Sequence, residues 1–157
     1  MRLKTFAMLT LVILSAVLAA PAPAQEPQLP SKGQTLYLPL VTHVYLGAKN
    51  KPYTLTKTFC FRNRDRKQKL TLLSLDYYNG AGQKLGNLLD KPRTLGPLSS
   101  LQMPVGAPEN QGKENSPCLI VRWESEKPVE QPLVQCIMIG ATGQQGISFS
   151  TTATPIR

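Results

Sequence analysis

The feature that most constrains the fold of this 157-residue chain is a set of short alternating runs. In each run apolar residues alternate with other residues, and turn-forming residues separate one run from the next. Leu36, Leu38 and Leu40 occupy every second position in one such run. A period of two places them on one face of a β-strand. After residue 24, no segment shows the i, i+3, i+4 apolar spacing of an amphipathic helix. The pattern therefore predicts an all-β protein.

The alternating pattern indicates seven or eight short strands. The stretches that carry it lie at about residues 36–46, 53–61, 69–78, 84–89, 95–105, 118–123, 133–139 and 147–152. Lys127-Pro128 is predicted to form the turn between the sixth and seventh stretches, and the Asn79-Gly80 pair another turn. This many short strands predicts a single antiparallel β-sandwich, with an Ig-like arrangement as our first expectation and a small closed β-barrel as the alternative.

The first 24 residues have the features of a secretory signal peptide. Arg2 and Lys4 precede an apolar stretch at residues 6–20, and Ala22-Pro23-Ala24 forms a small-x-small cleavage site. The stretch is shorter than the roughly 20 apolar residues that a membrane-spanning helix needs. We therefore expect residues 1–24 to be removed on export to the periplasm or the extracellular space, and no transmembrane segment in the mature chain.

The mature chain would begin at Gln25. Residues 25–33 are polar, contain two prolines and are predicted to be a flexible lead-in to one domain at 34–157. Two of the 18 basic residues and none of the 9 acidic ones lie in the first 24, so the mature net charge is +7. A basic exported protein suits an anionic partner, such as lipid headgroups, a glycan or an acidic protein face. Nucleic acid is not an expected partner.

Four stretches of the chain resemble a family of small exported bacterial proteins, domain of unknown function 3124. They are QTLYLPLVTHVY, LTLLSLDYYNGAGQKL, WESEKPVEQPLV and MIGATGQQGISF, at residues 34–45, 70–85, 123–134 and 138–149. The resemblance follows the same order along most of the mature chain. It implies a single exported domain and carries no activity or site residues over to this sequence.

The three cysteines, Cys60, Cys118 and Cys136, leave at least one thiol unpaired. If the strands of Cys118 and Cys136 form a hairpin that turns near Lys127, the two face each other and a disulfide can form. The alternative is that both are small buried apolar residues. Cys60 lies on the threonine face of its strand and is the candidate free thiol. A catalytic Cys60 would need a base, and nothing in the sequence places His43 near it.

Basic residues are concentrated between positions 49 and 69, where Asp65 is the only acid. The candidate anion-binding residues in this segment are Arg62, Arg64, Arg66, Lys67 and Lys69. One interpretation is a surface patch that docks on an anionic membrane or glycan. The other, which composition alone favours, is a solvated hairpin tip with no binding role.

The remaining residues predict no catalytic site, no metal site and no cofactor. One histidine and three scattered cysteines show no metal-ligand spacing. Asp76, beside Tyr77–Asn79, is predicted to stabilise the turn that follows it. The leading hypothesis is a non-catalytic exported protein that binds or stabilises another envelope component. The alternatives are a thiol-dependent enzyme using Cys60, and electrostatic docking to an anionic membrane or glycan through residues 49–69.

Overall fold

The computed structural model describes residues 29–46, 49–106, 116–142 and 145–156, and within them it contains β-strands and no helix. No helix of this described part is long and apolar enough to cross a bilayer. The predicted signal peptide lies outside the described residues. The strands are β1 Ser31–Pro39, β2 His43–Leu46, β3 Lys51–Thr54, β4 Thr56–Arg62, β5 Leu70–Tyr78, β6 Lys84–Asn87, β7 Arg93–Leu95, β8 Ser100–Pro104, β9 Cys118–Val129, β10 Leu133–Thr142, β11 Gln145–Thr152 and β12 Thr154–Ile156.

The strands form two main antiparallel sheets that pack face to face. The six-stranded sheet has the order β12-β1-β9-β5-β6, and β7 also pairs with β5. The four-stranded sheet has the order β11-β10-β4-β8, and β2 and β3 form a separate hairpin. The sheets do not close on each other, so the predicted antiparallel sandwich is confirmed and the alternative barrel is not formed.

The core lies between the sheets and comes from the alternating residues of both inner faces. Its largest fully buried side chains are Trp123, Tyr77, Phe59 and Phe61. Phe59 pairs with Cys136 and Phe61 with Val134, so β4 and β10 present one continuous apolar surface to the opposite sheet. Burying side chains of this size stabilises each by about 1.5–3 kcal/mol relative to exposure. The alternation in the sequence is therefore what fills the core.

Several predicted strands break where the chain changes layer. The stretch at 36–46 divides after Pro39 into β1 and β2, and the stretch at 53–61 divides at Leu55 into β3 and β4. β1 begins at Ser31, within the stretch predicted to be a flexible lead-in. A strict period of two from Leu75 and Tyr77 would bury Leu73. A bulge in β5 between Leu72 and Ser74 shifts the register, so Leu72 is buried and Leu73 is half-buried. β12 was not predicted.

The β2–β3 hairpin packs on the four-stranded sheet at a glycine. An added Cβ at Gly140 of β10 would overlap the ring of Tyr53 and lie 2.9 Å from Leu55 Cδ2. The Leu55 amide donates to the Thr42 carbonyl at 2.9 Å, and the Val41 amide contacts Met138 Sδ at 3.3 Å. The hairpin therefore needs a residue without a side chain beneath it.

Candidate anion-binding site

The structure divides the basic segment 49–69 into two separate groups. Lys49 and Lys51 lie at the turn and start of the β2–β3 hairpin, whereas Arg62 ends β4. The seven residues of β4 separate the two groups by roughly 20 Å at about 3.3 Å per residue. The candidate residues Arg62–Lys69 therefore act as one group without the two lysines. We call residues 62–69 the basic loop.

The buried side chain of Asn63 organises the basic loop. Asn63 is only 2% exposed, and its Nδ2 donates to the carbonyls of Gln68 and Gly96, each at 2.9 Å. Its own backbone amide donates to the Ser99 carbonyl at 3.0 Å. These bonds join the basic loop to the neighbouring connection at residues 96–99. Sequence analysis missed Asn63, although Asn followed two residues later by Asp is a turn signal.

Asp65 closes the loop by accepting hydrogen bonds from the backbone. The amides of Lys67 and Gln68 donate to Asp65 Oδ1 at 2.7 and 2.8 Å, and the Asp65 amide donates to Asn63 Oδ1 at 3.0 Å. The two amide donors hold the pKa of the Asp65 carboxyl below its ordinary value. The only acid of the segment therefore fixes the backbone of the loop.

The basic side chains point out of this fixed loop into solvent. All five candidate residues, Arg62, Arg64, Arg66, Lys67 and Lys69, are exposed. Arg64 Nε donates to the Gln131 carbonyl at 2.9 Å, and Lys69 Nζ lies 2.8 Å from Glu126 Oε1. Among the residues that the structure describes, no acidic side chain forms an ion pair with Arg62, Arg66 or Lys67. These cations keep their charge available to a ligand.

An exposed leucine lies beside the basic loop. Leu98 is 67% exposed, and its amide donates to the Asp65 carbonyl at 3.1 Å. Its φ of 57° lies in the left-handed region, which non-glycine residues adopt at a cost. Asn63 donates to the carbonyls of Gly96 and Ser99, so these two bonds hold the connection on both sides of Leu98. An apolar tip and several cations therefore stand on one rigid pair of loops.

A polar cleft adjoins the loop at Lys69. It has a volume of about 480 Å³ and is lined by Lys69, Leu70, Thr71, Thr94, Glu124, Ser125 and Glu126. Thr71 and Thr94 hydroxyls hydrogen bond each other at 3.0 Å, and Ser125 Oγ donates to the Lys69 carbonyl at 2.8 Å. Because its hydroxyls already bond within the protein and two glutamates line it, the cleft does not extend the cationic surface.

The strand pairing on which the predicted Cys118–Cys136 disulfide was based is wrong. β9 continues through Lys127 and Pro128 to Val129 in the six-stranded sheet, whereas β10 belongs to the four-stranded sheet. Cys118 pairs with Tyr78 and Pro39, and Cys136 with Phe59 and Thr151. All three cysteines are free thiols in the structure. Because β9 and β10 do not pair with each other, the two cysteines lie in different layers.

Cys60 lies on the outer face of β4, opposite the faces of Phe59 and Phe61, as its position in the alternation predicts. It is nevertheless only 1% exposed. Gln102 Nε2 lies 3.6 Å from its Sγ, and Sγ lies 3.9 Å from the Thr58 carbonyl oxygen. His43 lies in β2, and its side chain hydrogen bonds Thr42 and Tyr45. Neither group contacts the other.

Asp76 is buried on the outer face of the six-stranded sheet beneath two cations. Its side chain is 1% exposed, with Lys84 Nζ 2.9 Å from Oδ1 and Arg122 Nη1 3.7 Å from Oδ2. The predicted role of Asp76 in the following turn is wrong, because Asn79 Oδ1 accepts from the amides of Ala81 and Gln83 there. Since Lys84 and Arg122 already share this carboxylate, they are less available to an external anion than the loop cations.

Comparisons with known proteins identify the family. A family model described as "Protein of unknown function (DUF3124)" matches residues 33–156. No curated protein matches the chain. The crystal structure of Thermotoga maritima 1070 is similar over 77% of this chain and 92% of that chain, at 9% identity and a TM-score of 0.44. Because the family model covers nearly all of the described residues, the chain belongs to the family of proteins of unknown function DUF3124.

Proposed function

We propose that the chain is an exported, non-catalytic protein that docks through its basic loop on an anionic surface of the cell envelope, formed by lipid headgroups. The observation that carries the proposal is the fixed geometry of the loop. Buried Asn63 and hydrogen-bonded Asp65 hold the backbone, while Arg62, Arg66 and Lys67 remain exposed and form no salt bridge with a described residue. A solvated hairpin tip needs no such internal bonding.

The exposed Leu98 favours a lipid surface over a glycan. A leucine held 67% exposed beside cations can enter the boundary between headgroups and acyl chains, while the cations bind the phosphates. A hydrophilic glycan would gain nothing from this side chain. The predicted signal peptide supports the proposal, because it would deliver the chain to a compartment bounded by anionic lipids.

The thiol-dependent alternative is less well supported. Cys60 is 1% exposed, and its polar contacts within the described part of the chain are an amide and a carbonyl oxygen rather than a base. Burial raises the pKa of Cys136 to about 11 and also raises the pKa of Cys118. A nucleophilic cysteine needs a lowered pKa, so these two thiols lack the activation that such an enzyme requires.

Vesicle binding tests the proposal. We expect the chain from Gln25 onward to bind phosphatidylglycerol vesicles and not phosphatidylcholine vesicles. Removing two surface cations by Arg66→Gln and Lys67→Gln costs about 2 kcal/mol, or about 30-fold in affinity, at roughly 1 kcal/mol per basic residue. The matched control, Lys49→Gln with Lys51→Gln, removes the same charge at the other end of the molecule and should leave the affinity nearly unchanged. Equal losses in the two variants would show that net charge rather than the loop drives binding.

A second experiment distinguishes binding to a lipid surface from binding to a glycan. Leu98→Ser should weaken vesicle binding without changing binding to a soluble anionic polysaccharide, polygalacturonate. Raising the salt concentration from 50 to 500 mM should weaken the vesicle complex, since exposed charges are then screened within a few ångströms. Polygalacturonate binding that depends on Arg66 and Lys67, with no vesicle binding, would assign the loop to a glycan instead.

A further inference from the structure

β11 differs from the other edge strands of the two main sheets in the described part of the chain. β6, β7, β8 and β12 have three to five residues each, and each carries a basic residue or a proline. β11, Gln145–Thr152, has eight residues with neither a charge nor a proline. Short length, charge and proline are the usual means by which proteins keep sheet edges from pairing with other chains. β11 alone among these edges lacks all three.

The outer backbone edge of β11 pairs with no strand among the residues that the structure describes. Within the described residues β11 forms a ladder only with β10, from Gln145 opposite Thr142 to Thr152 opposite Gln135. Near its C-terminal end, the Thr151 hydroxyl donates to the Pro39 carbonyl of β1 at 2.8 Å, so β1 contacts that end through a side chain. None of the backbone hydrogen bonds found outside the ladders begins or ends at residues 145–152. In an antiparallel ladder, alternate N–H and C=O groups point away from the paired strand. The strand therefore presents a row of donors and acceptors that form no backbone hydrogen bond with any residue the structure describes.

The side chains at this edge are uncharged and partly apolar. Ser148 and Ser150 are exposed on the outer face, and Phe149 packs against the rim of the core while remaining half-buried. On the adjacent strand, Ile137 and Ile139 share the outer face with these serines, and Ile139 is 51% exposed. In a chain with a net charge of +9, this is a surface on which two copies can meet without charge repulsion.

We propose that two copies of this chain pair through β11, antiparallel about a twofold axis, and so join their four-stranded sheets into one eight-stranded sheet. With the axis at Phe149, each Phe149 faces the second copy's Phe149 and each Ser148 faces the second copy's Ser150. An aromatic pair and hydroxyl pairs are both favourable across a ladder. The contact is isologous, so it closes at two copies.

The occupant is a second copy rather than an unrelated extended peptide. Strand addition selects a peptide through pockets or charges that recognise its alternate side chains. The described cavities lie elsewhere, beside Lys69 and beside His43, and β11 carries no charge. The edge is complementary to itself, because Phe149 faces Phe149 and serine faces serine across the proposed twofold axis.

Sedimentation equilibrium tests the dimer. We expect the mass of the chain from Gln25 onward to double with rising concentration. Ser148→Lys with Ser150→Lys places two pairs of like charges across the proposed ladder and should keep the chain monomeric. The control, Thr56→Lys with Ser100→Lys, adds the same charge at exposed positions of β4 and β8 on the same sheet and should associate as the wild type does. A wild-type chain that stays monomeric at all concentrations overturns the proposal.

Hydrogen exchange on the wild-type chain locates the contact without a variant. Amides in residues 145–152 should become more protected at concentrations where the mass doubles, while those of the β8 edge at 100–104 should not. A dimer that leaves β11 unprotected, or that survives in the folded Ser148→Lys, Ser150→Lys variant, shows that another surface forms it. The β11 surface is separate from the basic loop, so this result and the vesicle result can fail independently.

Discussion

The three thiols have different environments, which follow from where each residue lies in the sandwich. Cys136 faces the core between Val134 and Met138, and burial raises its pKa to about 11. Cys60 is covered on the outer face of its sheet, whereas Cys118 is partly exposed and hydrogen bonds the Tyr37 hydroxyl. Reactivity should therefore follow exposure rather than position along the chain.

Alkylation of the folded, unreduced chain measures this order. With iodoacetamide at pH 8 we expect Cys118 to be modified first, because Cys60 and Cys136 are buried and almost no Cys136 thiolate exists three units below its pKa. Peptide mass spectrometry identifies the labelled residue, and the same reaction in denaturant, where all three should react, is the control. Rapid labelling of folded Cys60 would instead support a thiol-based activity. Protection of both Cys118 and Cys136 until reduction would indicate a disulfide between them.

The basic loop and its neighbouring connection form one element through the side chain of Asn63. A side-chain amide can satisfy several backbone groups at once, and Asn63 bonds carbonyls at Gln68, Leu95 and Gly96. Removing it leaves buried carbonyl groups without a donor, and each such group costs about 1–3 kcal/mol. The side chain therefore sets both the stability of this end of the sandwich and the position of the cations.

Asn63→Ala should lower the free energy of unfolding by about 2–3 kcal/mol and weaken binding to phosphatidylglycerol vesicles. Urea unfolding gives the first quantity and vesicle titration the second. Asn79→Ala is the matched control, since the Asn79 side chain also bonds the backbone, with Oδ1 accepting from the amides of Ala81 and Gln83, but does so in an exposed turn. Its loss should be below about 1 kcal/mol, with vesicle binding unchanged. If the two variants lost equal stability, burial of Asn63 would not be the cause of its effect.

The two sheets share one core, so the whole molecule should unfold as a unit. Trp123, the only tryptophan, is 2% exposed on the inner face of β9 and pairs with Leu72 of β5 and Gln34 of β1. Its environment therefore depends on the central strands of the larger sheet and on the layer packed against it. A small domain with one core ordinarily unfolds in a single cooperative transition.

We expect the fluorescence of Trp123 to shift to longer wavelength in one transition that coincides with the loss of the far-ultraviolet β-sheet signal. Both are followed in the same urea series. Refolding should be slow for a chain of this length, because β1 pairs with β9 and β12 and these contacts join distant parts of the sequence. Two separated transitions would show that the sheets unfold independently and would contradict a shared core.

Local pattern was enough to predict the all-β class, the sandwich and most strand positions. The alternation placed Cys60 on the threonine face of its strand, opposite Phe59 and Phe61, which the core buries, because the period of a strand is fixed by its backbone. The bulge at Leu73 was not visible, since adding one residue to a strand changes the register without changing its composition.

The same reasoning predicted the cations of the basic loop but not the contacts that position them. The cations at 62–69 stand out in the sequence, and the structure keeps all five exposed. That Asn63 fixes them, that Leu98 stands beside them and that Lys49 and Lys51 lie far from them depend on contacts between segments distant in sequence. Sequence neighbours are not spatial neighbours once a strand of seven residues lies between them.

By itself the sequence determined the class of fold, the inward and outward faces of most strands and the cations available for binding, because these follow from residue type and from a period of two. Only the tertiary structure decided which strands pair. It placed Cys118 and Cys136 in different sheets, buried Asp76 beneath Lys84 and Arg122, and made β11 an edge strand of the described four-stranded sheet. Pairing is decided by how the two layers bury their apolar faces together, which is a property of the whole chain rather than of any one segment.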